Sequence, residues 1–381
     1  MIKNLKPLKS LKKKTNKNTP VRAVMARNSA ELGLDFNDVV VVFACSDNFV
    51  PYMSVAIQSI IENSSEDRQY DIVVLTRDLS IASMYTLSKQ VKEYDNFAIG
   101  FLDVVAVLGD TKLPHHGHFR PETYFRLLAP DFLDNVNKAV YLDSDLVVLD
   151  DIAKLYDTNI EGYLVGATKD ADTIGQIDGY DPLVKPYLIG TLGMTNPYDY
   201  FQAGVLLMNL EEFRKQITPK EFLDIATQHE WHWLDQDILN KVVDGQYIRV
   251  PMRWNYLMDW QGLRRNHIVA TAPQSIQDEY EEARKDIGIV HYAGPEHRPW
   301  HYPNADLAGF FWYYAKLSPY YQFLIDDLNE FTHSPKNFPR RAKAAIAFRG
   351  AMPFFNKTCP PGTVRRENIT KVYAKLGGMT Y

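Results

Sequence analysis

Along the chain, short apolar runs alternate with segments whose apolar residues recur at helical spacing, the pattern of an α/β domain. Val39–Cys45 is a valine-rich, wholly apolar run, as expected of a parallel strand buried on both faces. Met53, Ala56, Ile57, Ile60 and Ile61 then recur at helical spacing. Tyr70–Leu75 predicts a second strand, Ser80 caps a helix running to Tyr94, and Phe97–Val104 predicts a third strand. Ala139–Leu142 and Leu146–Leu149 are two more apolar runs, placed on either side of an acidic turn. The first third therefore predicts a Rossmann-like layout, whose ligands sit at the carboxyl ends of the strands.

Further on, Asp170–Tyr200 is rich in Gly, Pro, Asp and Tyr and predicts a long loop region over the site. Ala203–Leu210 is another apolar run, Pro219–Gln228 predicts a helix, and Ile287–Val290 is apolar again. Beyond Trp300 a dense aromatic group (Phe310–Tyr314, Tyr320, Tyr321 and Phe323) precedes a basic stretch holding Lys336, Arg340, Arg341, Lys343 and Arg349. This tail has two readings. It rests on an anionic membrane surface, where lipid-linked acceptors reside, or its aromatics pack on the main domain and its cations are merely solvated. The expected organisation is a basic, flexible arm at 1–35, a nucleotide-binding α/β domain at 36–303, and a mostly helical aromatic and basic extension at 304–381.

At 381 residues, 46% hydrophobic and 23% charged, the chain has the make-up of an ordinary soluble globular protein with a substantial core. Its 42 basic and 47 acidic residues give −5, so nucleic acid is not an expected partner. That average hides an asymmetry, since every charged residue from Lys3 to Arg27 is basic. No secretory leader or membrane-length apolar run is evident. Cys45 and Cys359 suggest neither a disulfide framework nor zinc, and Cys45 reads as a small buried hydrophobe. A cytoplasmic setting is expected, with peripheral attachment to the inner face of the membrane if the tail takes its first reading. His115, His116 and His118 read as a polar loop rather than a metal site.

Neither glycine-rich phosphate loop signature, G-x-G-x-x-G or G-x-x-x-x-G-K-[ST], is present, so bound phosphates need another source of positive charge. Asp143-Ser144-Asp145 supplies one. Side chains at i and i+2 of extended chain point to one side, so the two carboxylates can converge on a single Mg²⁺ or Mn²⁺. The bland alternative is a pair of solvated aspartates in a turn. His291, in the segment His291–Trp300, adds an imidazole that suits Mn²⁺ better than Mg²⁺ alone. There Gly294 permits close backbone approach and Arg298 can clamp phosphate. A structural histidine after a strand is the competing reading. Asp235, at the start of a helix, is explained equally well as compensation of the helix dipole.

Taken together and in order, these segments resemble glycosyltransferase family 8. They are Phe43–Asn48, Thr123–Leu127, Tyr141–Asp145, Phe201–Asn209, Leu234–Asn240 and His291–Gly294. The resemblance implies a GT-A fold, a UDP-sugar donor, Mn²⁺ dependence and retention of anomeric configuration. By motif position, Asp143, Asp145 and His291 would hold the metal. Ala44, Asp47 and Asn48 would lie near uracil and ribose, with Ser144 beside them in the acidic turn and Arg126 near the nucleotide or donor sugar. Gly294 and Arg298 would touch the diphosphate, while Asp170, Ala203, Gly204, Asp235 and Gln236 would line the donor sugar. Three departures stand out. Ser46 and Gln202 replace the acid and the asparagine usual at their positions. Arg298 replaces a lysine and comes one residue later.

The implied reaction transfers a hexose, glucose or galactose, to a glycan or lipid-linked acceptor in surface polysaccharide or lipopolysaccharide synthesis. Retention requires a carboxylate nucleophile or attack on the face the leaving group departs from. Gln236 is the candidate nearest the anomeric carbon, but an amide is a poor nucleophile, so same-face attack is expected. Asp170 and Asp235 would bind sugar hydroxyls. Two other readings stay open at this level. Asp143–Val147 also fits the D-x-D-x-[TV] signature of haloacid-dehalogenase-type phosphatases, with Asp143 as nucleophile. A non-catalytic nucleotide- or carbohydrate-binding protein on a degenerate transferase scaffold is the other.

Overall fold

In the computed structural model, the described residues are 23–105, 121–294 and 297–333. Strands are β1 (Met25–Ala26), β2 (Val39–Ala44), β3 (Tyr70–Thr76), β4 (Phe97–Asp103), β5 (Lys138–Leu142), β6 (Leu146–Val148), β7 (Val165–Lys169), β8 (Phe201–Asn209), β9 (Ile248–Arg249), β10 (Tyr256–Leu257) and β11 (Ile289–His291). An eight-stranded sheet runs β1-β4-β3-β2-β5-β8-β7-β9, and a three-stranded sheet runs β10-β11-β6. The large sheet is parallel from β1 to β5, and β8 lies antiparallel to both β5 and β7.

The valine run of β2 explains its central place. Val39, Val41 and Phe43 face one hydrophobic core, and Val40 and Val42 face the other, as the two-residue period of a strand requires. All are at most 1% exposed. Helix Val50–Asn63 covers one face and is buried along most of its length. Ser80 caps helix Ile81–Lys92 by accepting from the Ser83 amide, as the sequence predicts. Thr218 and Glu221 close a capping box on Pro219–Gln228.

The segment expected to be a long loop, Asp170–Tyr200, is instead a string of short helical turns. They include Ala171–Gly175, Gln176–Tyr180, Val184–Pro186 and Tyr187–Leu192. Val184, Leu188 and Leu192 recur every four residues and are all buried, so the apolar period prevails over the local Gly and Pro signals. At the amino end, Met25–Ala26 pairs with β4, so residues assigned to a basic arm carry an edge strand. After Trp300, helices Ala308–Ala315 and Tyr321–His333 follow. Phe310, Phe311 and Tyr314 are buried against Tyr52, Val147, Tyr292 and Trp300, so these aromatics pack on the domain. The basic residues from Lys336 onward, Cys359, and His115, His116 and His118 lie outside the described residues. Among the described residues, no helix is long and apolar enough to cross a membrane.

Candidate active site

Strand pairing builds the centre of the site. β6 runs antiparallel to β11, placing Leu146 opposite His291, and the Tyr292 amide donates to the Asp145 carbonyl at 2.9 Å. On the other side, β5 pairs with β8 and the Asp143 amide donates to the Gly204 carbonyl at 2.8 Å. The acidic turn is thus held between two sheets. Ser144 is nearly buried and donates from Oγ to the Ala44 carbonyl at 3.3 Å, tying the turn to the end of β2.

The result is a compact donor set. One ligand atom from each of Asp143, Asp145 and His291 lies within 4.8 Å of the other two. His291 Nε2 is 3.1 Å from Asp145 Oδ1 and 3.7 Å from Asp143 Oδ2. Two carboxylates and an imidazole suit a Mn²⁺- or Mg²⁺-class ion, so the residues present fit the metal that the sequence implies. Burial would raise the Asp145 pKa, but the hydrogen bond and charge from His291, with the charge of Arg298, carry it below the usual carboxylate range.

Arginines close the site. Arg126, 4% exposed, donates from Nη2 to Asp143 Oδ1 at 2.8 Å, from Nη1 to the Ala203 carbonyl, and from Nε to the Thr123 carbonyl. Its guanidinium also lies 4.5 Å over the Tyr141 ring. Asp235 Oδ2 is 2.8 Å from Arg126 Nε yet accepts no hydrogen bond, because that N–H is given to Thr123. Burial pushes the Asp235 carboxyl up to about 6 even though the Arg126 charge opposes the shift. Arg298 reaches the metal-binding group directly, with Nη2 at 3.2 Å from Asp145 Oδ2 and Nε donating to the Gly294 carbonyl at 2.7 Å. The late position of this arginine therefore still delivers its charge to the acidic turn. Gly294 has φ +108° and backs onto the Trp260 ring, which leaves no room for a side chain.

Gln236 is fully engaged. Its Oε1 accepts from the Ala203 amide at 2.9 Å, and its Nε2 donates to Asp170 Oδ2 at 3.0 Å and Tyr200 OH at 3.2 Å. Asp170 also caps Ala171–Gly175 by accepting from the Asp172 and Thr173 amides, so much of its hydrogen-bonding capacity is spent locally. Asp47 accepts from the Ser80 amide and hydroxyl, while Asn48 is exposed at the rim of β2.

The sequence reading overlooked Asn255 and gave no role to Asp237 within Leu234–Asn240. Asn255, 1% exposed, accepts from His291 Nδ1 at 2.9 Å and donates to Gln202 Oε1 at 2.5 Å. Asp237 accepts from Tyr187 and Tyr200 hydroxyls at 2.6 and 2.7 Å. The one visible signal for Asn255 is a polar residue between aromatics, Trp254-Asn255-Tyr256.

Residues 40–304 match Glycosyl transferase family 8. The chain belongs to that family. Similar proteins include General stress protein A of Bacillus subtilis, 26% identical over 275 residues, 68% of this chain and 86% of the relative. The lipopolysaccharide 1,2-glucosyltransferase of Escherichia coli is 24% identical over 236 residues, covering 59% of each chain. Among solved structures, the galactosyltransferase LgtC with donor and acceptor sugar analogues superposes with TM-score 0.59 at 25% identity, covering 74% of this chain and 96% of that one. The bifunctional glycosyltransferase WbbM gives TM-score 0.68 at 28% identity over 77% of this chain and 52% of WbbM. This family 8 member is a glycosyltransferase of GT-A fold. The phosphatase alternative would need Asp143 on the first strand, whereas here it follows β5 and is hydrogen-bonded by Arg126.

Proposed function

We propose that this glycosyltransferase moves a hexose, glucose or galactose, from a UDP-sugar to a glycan or lipid-linked acceptor, with retention and dependence on Mn²⁺ or Mg²⁺. The observation that carries the reading is the convergence of Asp143 and Asp145, from the turn after β5, with His291, from β11. The similarity to the lipopolysaccharide glucosyltransferase supports surface polysaccharide or lipopolysaccharide synthesis as its setting. LgtC, with its sugar analogues, supports a sugar donor and a sugar acceptor.

Bound by Asp143, Asp145 and His291, the ion would offset the negative charge that grows on the departing diphosphate. The remaining work belongs to the chain. Arg298 and the backbone at Gly294 receive the diphosphate beside Asp145. Ala44, Asp47 and Asn48, at the carboxyl end of β2, receive the uridine. Arg126 and Asp235, with Ala203 and Gly204, face the donor sugar. Gln236, anchored through Ala203, Asp170 and Tyr200, presents a fixed amide near the anomeric carbon. Asp170 is held by Gln236 and the amides of its own helix, and Asp235 is buried against Arg126, which favours attack on the face the leaving group departs from. The leaving phosphate would then take the proton of the acceptor hydroxyl. Positioning and electrostatics supply the catalysis.

A panel of UDP-sugars assayed for release of UDP, with Mn²⁺ and with chelator, tests the proposal. Release from UDP-glucose or UDP-galactose that stops on chelation is expected. Release unaffected by chelator defeats the metal reading, and no release from any UDP-sugar defeats the donor assignment.

A further inference from the structure

We infer that Gln202 and Asn255 set the tautomer of His291 and thereby tune the affinity of Asp143, Asp145 and His291 for their ion. The inference rests on the metal reading above.

It follows from counting donors and acceptors outward from a group that cannot change. The Gly204 amide has only a proton to give, and its partner at 2.6 Å is the Gln202 side-chain oxygen. That atom must be the carbonyl oxygen, since the amide nitrogen would confront donor with donor. The same oxygen lies 2.5 Å from Asn255 Nδ2, which fixes the orientation of the Asn255 amide as well. Asn255 Oδ1 is then left facing His291 Nδ1 at 2.9 Å, and an acceptor there requires Nδ1 to carry the proton. A neutral imidazole has one N–H. The metal-free ring can still donate from Nε2 to Asp145 Oδ1 at 3.1 Å, but the neutral ring keeps its proton at Nδ1, so Nε2 is the nitrogen that yields a lone pair to a metal.

Solvent does not relax the arrangement. Asn255 and His291 are each 1% exposed, so water does not compete for these groups. Flipping Asn255 would set oxygen against oxygen at Gln202, whose orientation the Gly204 amide already fixes. The anchor is rigid, because Gly204 belongs to β8 and its carbonyl accepts from the Asp143 amide. One backbone N–H thus dictates the state of a histidine three hydrogen bonds away. Gln202 and Asn255 are positioning residues, and neither is needed at the reacting atoms. Losing such an outer partner typically costs a metal site about 10–100-fold in affinity.

The test is Mn²⁺ binding to the metal-stripped full chain, followed by the electron paramagnetic resonance signal of the free aqueous ion. Gln202→Glu keeps an oxygen for both Gly204 and Asn255, whereas Gln202→Met keeps the bulk and removes the acceptor. Gln202→Met and Asn255→Leu should bind about 10–100-fold more weakly, and Gln202→Glu at least as tightly as wild type. Circular dichroism checks that each variant is folded. Independently of any variant, nitrogen-15 spectra of histidine-labelled, metal-free wild type at alkaline pH should show His291 protonated at Nδ1. A ring protonated at Nε2 alone, a Gln202→Met variant that binds like wild type, or a Gln202→Glu variant as weak as Gln202→Met overturns the inference and leaves the metal reading intact. Wild type that binds no Mn²⁺ overturns both.

Discussion

His291 Nε2 lies 3.1 Å from Asp145 Oδ1 although 146 residues separate the two in sequence. The contact exists because β11 returns antiparallel to β6 immediately after the acidic turn. One strand pairing therefore completes the metal-binding group.

If that group binds the catalytic ion, Asp145→Ala removes a ligand and leaves the strands intact. Turnover should fall by at least about 100-fold, beyond what loss of an outer partner costs. UDP release at saturating Mn²⁺, with a melting curve to verify folding, measures this. Near-normal turnover would remove Asp145 from the mechanism.

Gly204 is the tightest point of the site. A Cβ there would strike the His291 ring and come within 2.7 Å of Asp143 Oδ2. Gly204→Ala should cost about 1–3 kcal/mol of stability through overpacking and weaken Mn²⁺ binding as well. Gly190→Ala is the control, because nothing lies within 4 Å of a Cβ added there. Denaturant unfolding of the two variants should separate them clearly, and equal stability would mean that the crowding at Gly204 is relieved elsewhere.

Arg126 neutralises two carboxylates from inside the protein. Arg126→Leu leaves Asp235, 4% exposed, with its charge uncompensated. Breaking a buried pair in this way typically costs about 3–5 kcal/mol. The double variant Arg126→Leu/Asp235→Leu should recover part of the loss. Chemical denaturation of both reports the coupling, and additive losses would show that the two side chains act independently.

Asp235 also predicts a pH dependence. Its carboxyl is raised from the ordinary 3.8 to about 6 by burial. Between those values the folded protein holds a proton that the unfolded chain has released. Its contribution thus favours the fold at the acid end and is lost as pH rises through the folded value. The shift of about two units corresponds to roughly 3 kcal/mol at most. Asp235→Asn has no such proton to lose, so wild type should lose stability relative to it as pH rises from about 4 to about 7. A difference that stays flat over that range contradicts the assignment.

Much of the layout was legible from local pattern. Val39–Cys45 read as a buried strand, observed at Val39–Ala44, because parallel strands covered on both faces are continuously apolar. Ser80 announced a helix start because capping is a short-range hydrogen bond. The region Asp170–Tyr200 was misread, since its Gly and Pro residues mask an apolar period that only burial reveals. The aromatics of Ala308–Ala315 were ambiguous for a related reason. A rich apolar helix serves a membrane or a neighbour equally well until its partner is known.

The sequence alone determined the chemistry available: two carboxylates one residue apart after a strand, an imidazole after another, and no phosphate loop. Ligand type and strand polarity are encoded within a few residues of each other. Only the tertiary structure decided that Arg298 reaches Asp145, that Asp235 turns to Arg126, and that Asn255 and Gln202 stand behind His291. Those relationships span tens to hundreds of residues and depend on strand register and side-chain burial, which no local pattern specifies.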